Sequence, residues 1–241
     1  HILSGHTHYM RPYDYVWNNT GHKMYEHCIA STRYDMRGCN IHRDGTPCGY
    51  EVLKVQGNHI VDWYYKGFQQ GANSRDDQMR LYRGNAVTGA SNKPNPNNRA
   101  RGYYAFNFDE DVLLANVYMA DSKWQIKVYE NGVYSGDMTL IPNNVRPYHD
   151  NKPDTATEGI GGDGSFTAPY YSSVMDISSD MHFAGLYLGI LGKKDRQYNT
   201  KGDCYHMYKY RLKKPDAQIM VKATDRFGNV YTETKITKGT D

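Results

Sequence analysis

The chain lacks the features that would place it in several large classes. Its 29 basic and 26 acidic residues leave a net charge of only +3, with both signs interspersed. A basic footprint for nucleic acid or for an anionic membrane surface is therefore absent. No apolar run reaches the length of a membrane span, and no signal peptide is recognisable. Leucine and alanine are sparse and sustained helical periodicity is missing, which argues against an α-helical fold. No Gly-x-Ser-x-Gly elbow occurs, so an esterase-type serine has no support. The cysteines, Cys28, Cys39, Cys48 and Cys204, form no Cys-x-x-Cys pair, which argues against a zinc knuckle. Two states stay open for them: one disulfide among the first three, if the protein is exported, or buried thiols. The first residue is histidine rather than methionine, so a processed or excised piece is expected.

Tyrosine and glycine are abundant, at 23 residues each in a chain of 241. That composition favours strands joined by turns, in one large or two modest domains. After a polar stretch with a short strand at 26–30, two strands at 50–56 and 60–66 flank Gly57-Asn58, a tight hairpin. Val61, Trp63 and Tyr65 share one face of the second strand. A further short strand covers 78–83. Residues 91–101, with two prolines among asparagines, read as a linker between a first domain at 1–90 and a second at 102–241. In the second domain, strands are expected at 102–108, 112–118, 123–130, 133–140, 184–191, 205–212, 217–224 and 230–236. Trp124, Ile126 and Val128 alternate with polar neighbours and point inward, and Asn131-Gly132 closes a hairpin. About seven such strands suggest a two-sheet sandwich of immunoglobulin or fibronectin type. The loop at 141–166 exceeds a simple connector.

The stretch with chemical content is Ser4-Gly5-His6-Thr7-His8. Ile2 and Leu3 before it read as a buried strand. On extended backbone the two imidazoles point to one side, and imidazole is the usual neutral ligand of zinc, iron and manganese. Gly5-His6-Thr7-His8 resembles the last metal-binding motif of calcineurin-like metallophosphoesterases. Asp44-Gly45-Thr46-Pro47-Cys48-Gly49-Tyr50, Val55-Gln56-Gly57-Asn58, Trp63-Tyr64-Tyr65-Lys66 and Gln78-Met79-Arg80-Leu81-Tyr82 resemble the end of such a bacterial phosphoesterase domain. Ala115-Asn116-Val117, Asp121-Ser122-Lys123-Trp124, Val128-Tyr129-Glu130-Asn131-Gly132 and the run from Ala223 to Glu233 resemble its dedicated C-terminal domain. The tryptophan pair expected near Met36-Arg37 is absent, and residues 142–166 have no recognised counterpart.

The resemblance implies a mainly β chain: terminal strands of a phosphoesterase sandwich, then an immunoglobulin- or fibronectin-like sandwich. It implies phosphoester hydrolysis by two divalent ions (Mn, Fe or Zn) about 3.5–4 Å apart, His6 binding one and His8 the other. It also implies an exported, periplasmic or extracellular protein. The family's other ligands, in an Asp-x-His, a Gly-Asp-x-x-Asp, a Gly-Asn-His-Asp/Glu and a further histidine, all precede the final motif. An N-terminal phosphoesterase portion is thus the expected partner, and the chain alone is expected to hydrolyse nothing and to hold no metal tightly. Gly57-Asn58-His59 and Asp180-Met181-His182 imitate two of those motifs but follow His6. Strand edges left open in the first 84 residues would pair among themselves, rest on the second domain, or make a homodimer. The rival class is an exported glycan- or ligand-binding module without catalysis. Tyr103, Tyr104, Tyr170, Tyr171 and Tyr187 would give it stacking surfaces. A third reading is structural: the C-terminal sandwich packs against the catalytic domain and shapes its cleft, with Arg146, Tyr148 and His149 on the 141–166 loop leaning over the metals to select substrates. Trp124 reads more simply as core, and His206 as a packed histidine.

Overall fold

A computed structural model describes residues 1–5, 10–16, 21, 23–29, 31–32, 46–68, 73–84, 109–141, 167–169, 201–203 and 206–237. Every regular element among them is a strand, and no helix among them is long and apolar enough to cross a membrane. In chain order these are β1 (Ile2–Ser4), β2 (Arg11–Val16), β3 (Lys23–Cys28), β4 (Gly49–Gln56), β5 (His59–Gly67), β6 (Met79–Arg83), β7 (Val112–Val117) and β8 (Gln125–Glu130). There follow β9 (Val133–Asp137), β10 (Thr139–Leu140), β11 (Thr167–Pro169), β12 (Lys201–Asp203), β13 (Met207–Arg211), β14 (Ile219–Thr224), β15 (Val230–Glu233) and β16 (Ile236–Thr237). The fold is mainly β, as the composition predicts.

Two sheets form a sandwich, one ordered β10-β13-β7-β6-β16 and the other β15-β14-β8-β9. Their facing side chains make one aliphatic core that includes Leu81, Leu113, Ala115 and Val117 from the first sheet and Ile126, Val128, Ile219 and Val221 from the second. Strand β7 is buried along its whole length, hence its apolar sequence, which Asn116 alone interrupts. The expected inward set holds for Ile126 and Val128, with Trp124 half-buried against the same core and stacked on Tyr231. Asn131 (φ 51°) and Gly132 (φ 77°) both take left-handed backbone, the geometry of a two-residue hairpin turn.

Two expected strands are each broken in the structure. The stretch 133–140 divides at Met138 into β9 and β10, which lie in different sheets. Met138 donates its N–H to Ile126 O (2.8 Å) while Ile141 N–H donates to Met207 O (2.9 Å), so the chain crosses the core between them. The stretch 230–236 divides in the same way at Thr234-Lys235 into β15 and β16. Such crossings are how a sandwich closes its corners, and alternation alone does not mark them.

Strand β6, on the N-terminal side of residues 91–101, is the hydrogen-bonded neighbour of β7 on the other side. The sheet is therefore continuous across that stretch, which itself lies outside the described residues. The remaining elements are a three-stranded sheet, β1-β3-β2, the hairpin β4-β5, and the pair β11-β12, which no sequence signal announces. A second core of Met10, Tyr25, Trp63, Tyr65, Tyr118 and Met119 joins the first two of these to the residues just after β7.

Ile2 and Leu3 are not buried as expected: they are 38% and 59% exposed. Among the described residues strand β1 pairs only with β3, at the edge of its sheet, and its two apolar side chains fall on opposite faces. The expected segments 102–108 and 184–191, and the loop 142–166, lie outside the described residues.

Candidate functional site

Strand β1 runs parallel to β3 in the register Ile2↔Glu26, Leu3↔His27 and Ser4↔Cys28. Ser4 Oγ donates to Glu26 Oε1 (2.6 Å), and Ile29 N–H donates to Ser4 O (3.1 Å). The backbone is thus held firmly up to the residue before Gly5-His6-Thr7-His8. His6 and His8 lie outside the described residues, as do Arg146, Tyr148, His149, Tyr170 and Tyr171. Tyr103, Tyr104, Tyr187 and Asp180-Met181-His182 lie outside them too. Gly57, at φ +62°, and Asn58 are the turn between β4 and β5, as the sequence suggests. His206 is fully buried, in keeping with its reading as a packed histidine.

What the described residues bring together is a different cluster, at the base of β1. His27 is fully buried and spends both ring nitrogens: Nδ1 lies 2.6 Å from Glu51 Oε1 and Nε2 lies 2.9 Å from His1 Nδ1. The Tyr25 and Trp63 rings flank it edge-on, with centroids 4.6 and 4.7 Å away. The Glu51 side chain is fully enclosed, and its second oxygen has no hydrogen-bond partner among the described residues. Burial pushes its carboxyl above the usual carboxylate range, against the opposing pull of the His27 hydrogen bond and charge.

Beside this cluster lies the turn Asp225-Arg226-Phe227-Gly228-Asn229, which joins β14 to β15. Asp225 organises it, accepting from the Phe227 and Asn229 amides (2.8 Å each), from Asn229 Nδ2 (2.8 Å) and from the Tyr231 hydroxyl (3.0 Å). Burial and then Asp225 raise the pKa of Tyr231, so it stays a donor. So held, the turn projects Arg226 toward the N-terminal sheet. Its guanidinium meets Asp121 Oδ2 through Nε (2.8 Å) and a terminal nitrogen (2.7 Å). The same group stacks 4.1 Å from the Tyr25 centroid and 5.0 Å from that of Trp63. Tyr25 donates its hydroxyl to Asp121 Oδ2 (3.0 Å), while the Lys123 amide fixes Oδ1 (2.8 Å). Burial first, and Asp121 second, raise the Tyr25 pKa, keeping the phenol protonated. Phe227 meets the Trp63 ring edge-on at 4.5 Å. A second bridge runs from Asp62 of β5 to Arg75 (2.6 Å) and to Asn229 Nδ2 (3.3 Å).

The sequence marks Asp225–Asn229 only within the run that carries the family resemblance, and no motif singles out His27, Glu51 or Arg226. The available signal was a carboxylate in phase with Leu53 on a hairpin strand, and an arginine on a turn next to an aromatic residue.

The two-metal centre implied by the histidine motif cannot be built from this cluster. Both nitrogens of His27 are engaged, and no group of three or more His, Cys, Asp or Glu among the described residues could hold a metal ion. The cluster is arranged to join parts of the molecule, with a cation, three buried acids and a histidine flanked edge-on by two aromatic rings.

Against known proteins, no curated protein and no solved structure matches the chain. Residues 31–161 match the family model described as the C terminal of calcineurin-like phosphoesterase, a stretch that contains the β4-β5 hairpin and every strand from β6 to β10. That match covers more than half of the 241 residues, and the chain belongs to this family of phosphoesterase C-terminal domains.

Proposed function

We propose that this chain is the C-terminal part of a metal-dependent phosphoester hydrolase. In this role His6 and His8 contribute two imidazoles to a dinuclear centre, and the sandwich with its attached hairpin supports the segment that carries them. The observation that carries the proposal is the family match over residues 31–161, directly preceded by a sheet whose first strand leads into Gly5-His6-Thr7-His8. Imidazole is the neutral ligand such a centre uses, and two ions held in place polarise a phosphoryl oxygen and supply a hydroxide nucleophile.

These 241 residues do not catalyse the reaction alone. Two neutral ligands leave a metal pair mostly to water, without a bridging carboxylate to hold the ions together. No Gly-Asp in the chain is followed by aspartate three residues on, and Ile60 stands where a Gly-Asn-His motif needs its acid. Assayed with manganese against p-nitrophenyl phosphate and bis-p-nitrophenyl phosphate, the purified chain should give no turnover above the metal-only blank. Metal-dependent turnover that disappears in His6→Ala would refute this division of labour.

A further inference from the structure

We propose that Arg226 is a positioning residue, through which the C-terminal sandwich fixes the strand that leads into the His6-Thr7-His8 segment. This deepens the function proposed above and rests on it only for the importance of that segment. Arg226 sits on the turn after β14, a central strand of the four-stranded sheet. Its side chain is 10% exposed and that of its partner Asp121 is 2% exposed, so water screens the pair little.

Two features make the contact directional rather than merely adhesive. The guanidinium is fixed in plane by two bonds to one oxygen of Asp121, whose other oxygen is held by the Lys123 amide. In that orientation its flat face is presented to Tyr25 on β3 and to Trp63 on β5. The Tyr25 hydroxyl returns to the same carboxylate oxygen, closing a three-membered arrangement of acid, cation and phenol. From Tyr25 the contact passes along β3 to His27, and across the β3–β1 ladder to Leu3 and Ser4. A leucine or methionine at 226 would fill the space but fix no angle between sandwich and sheet. A buried ion pair is a weak source of stability and a better source of geometric definition.

The test is hydrogen exchange by mass spectrometry on the intact 241-residue chain. Arg226→Met should speed exchange at least tenfold in peptides covering β1 and β3, while peptides covering β8 and β14 keep their protection. Arg226→Lys retains the charge without the flat fork and should restore part of it. Tyr25→Phe removes one hydroxyl and leaves the ring, and should give a smaller rise confined to the same peptides. It decides the matter if Arg226→Met fails to fold. Unchanged exchange in β1 and β3, or equal loss throughout the sandwich, would overturn the proposal and leave the hydrolase assignment standing. Turnover by the chain alone would refute the division of labour proposed above and leave the role of Arg226 standing.

Discussion

The two cores of this molecule are built on opposite principles. The sandwich core is aliphatic: leucines, valines, isoleucines, alanines and methionines from two facing sheets, with Tyr208 and Tyr231 among them. The other core is aromatic, centred on Tyr25, Trp63, Tyr65 and Tyr118. It is threaded by His27, Glu51, Asp121, Arg226 and Gln78. In the first, stability comes from apolar area removed from water, a non-directional term that tolerates small displacements. In the second, each ring carries a polar tip or borders a charge, so the packing holds only while every partner stays in place. Gln78 illustrates this: its side-chain oxygen accepts from the Tyr65 amide (3.1 Å) and its Nε2 donates to Tyr65 O (2.6 Å). It continues the β-ladder on the side of β5 away from β4, where no strand lies among the described residues. The polar core sits where the sandwich meets the sheet β1-β3-β2, so geometric definition is concentrated at that junction.

The largest effect should come from the aliphatic side. Leu113 is fully buried near the start of the central strand β7. Leu113→Ala should cost about 2–5 kcal/mol, because the rigid two-sheet frame cannot collapse onto the cavity. Urea titration at several pH values should show that loss to be independent of pH. A pH-dependent loss would mean the two cores are not energetically distinct.

A smaller and more local effect is expected from Tyr65→Phe. The Tyr65 hydroxyl donates to the Pro47 carbonyl (2.6 Å) and is itself fully buried. Its removal leaves that carbonyl without this donor, at a cost of about 1–3 kcal/mol. Exchange should rise first in peptides covering β4 and β5. If the loss instead spread evenly into β8 and β14, the aromatic core would not be separable from the aliphatic one.

The sandwich was far more legible in the sequence than the polar core, for a physical reason. Burial on one face writes alternation into β8, and burial on both faces writes the apolar run Val112–Ala115 into β7; either can be read without knowing the partner. The hairpin turns at Gly57-Asn58 and Asn131-Gly132 were legible because left-handed backbone is cheap for few residues. Face assignment in β4 was not. Counting back from the turn, a regular ladder sets Glu51 opposite Tyr64, on the outer side. The bulge between Lys54 and Val55 shifts the register by one, so Glu51 stands opposite Tyr65 and faces inward. Nothing local to the sequence marks that bulge. Arg226 was hidden differently, since its partners Tyr25, Trp63 and Asp121 come from three distant parts of the chain. Its turn could be recognised from Asp225 and Gly228, whereas its role depends wholly on tertiary contact. His6 and His8 were the converse case, conspicuous as a motif yet outside the described residues.

The finest test of the contrast is the pH dependence that Glu51 imposes. A carboxyl whose pKa is raised on folding keeps its proton in the native state at a pH where the unfolded chain has released it. The native state then binds more protons, so stability falls as pH rises from the unfolded value of about 4.3 until the raised native value is passed. Glu51→Gln removes that titration and keeps the shape of the side chain and its contact with His27. The variant should therefore gain on wild type as pH rises from 4 toward neutrality, with the difference levelling off above the native pKa. Urea midpoints compared at closely spaced pH values would show it. Parallel curves for the two proteins would mean that Glu51 is ionised in the fold, and that the His27 hydrogen bond and charge outweigh burial after all.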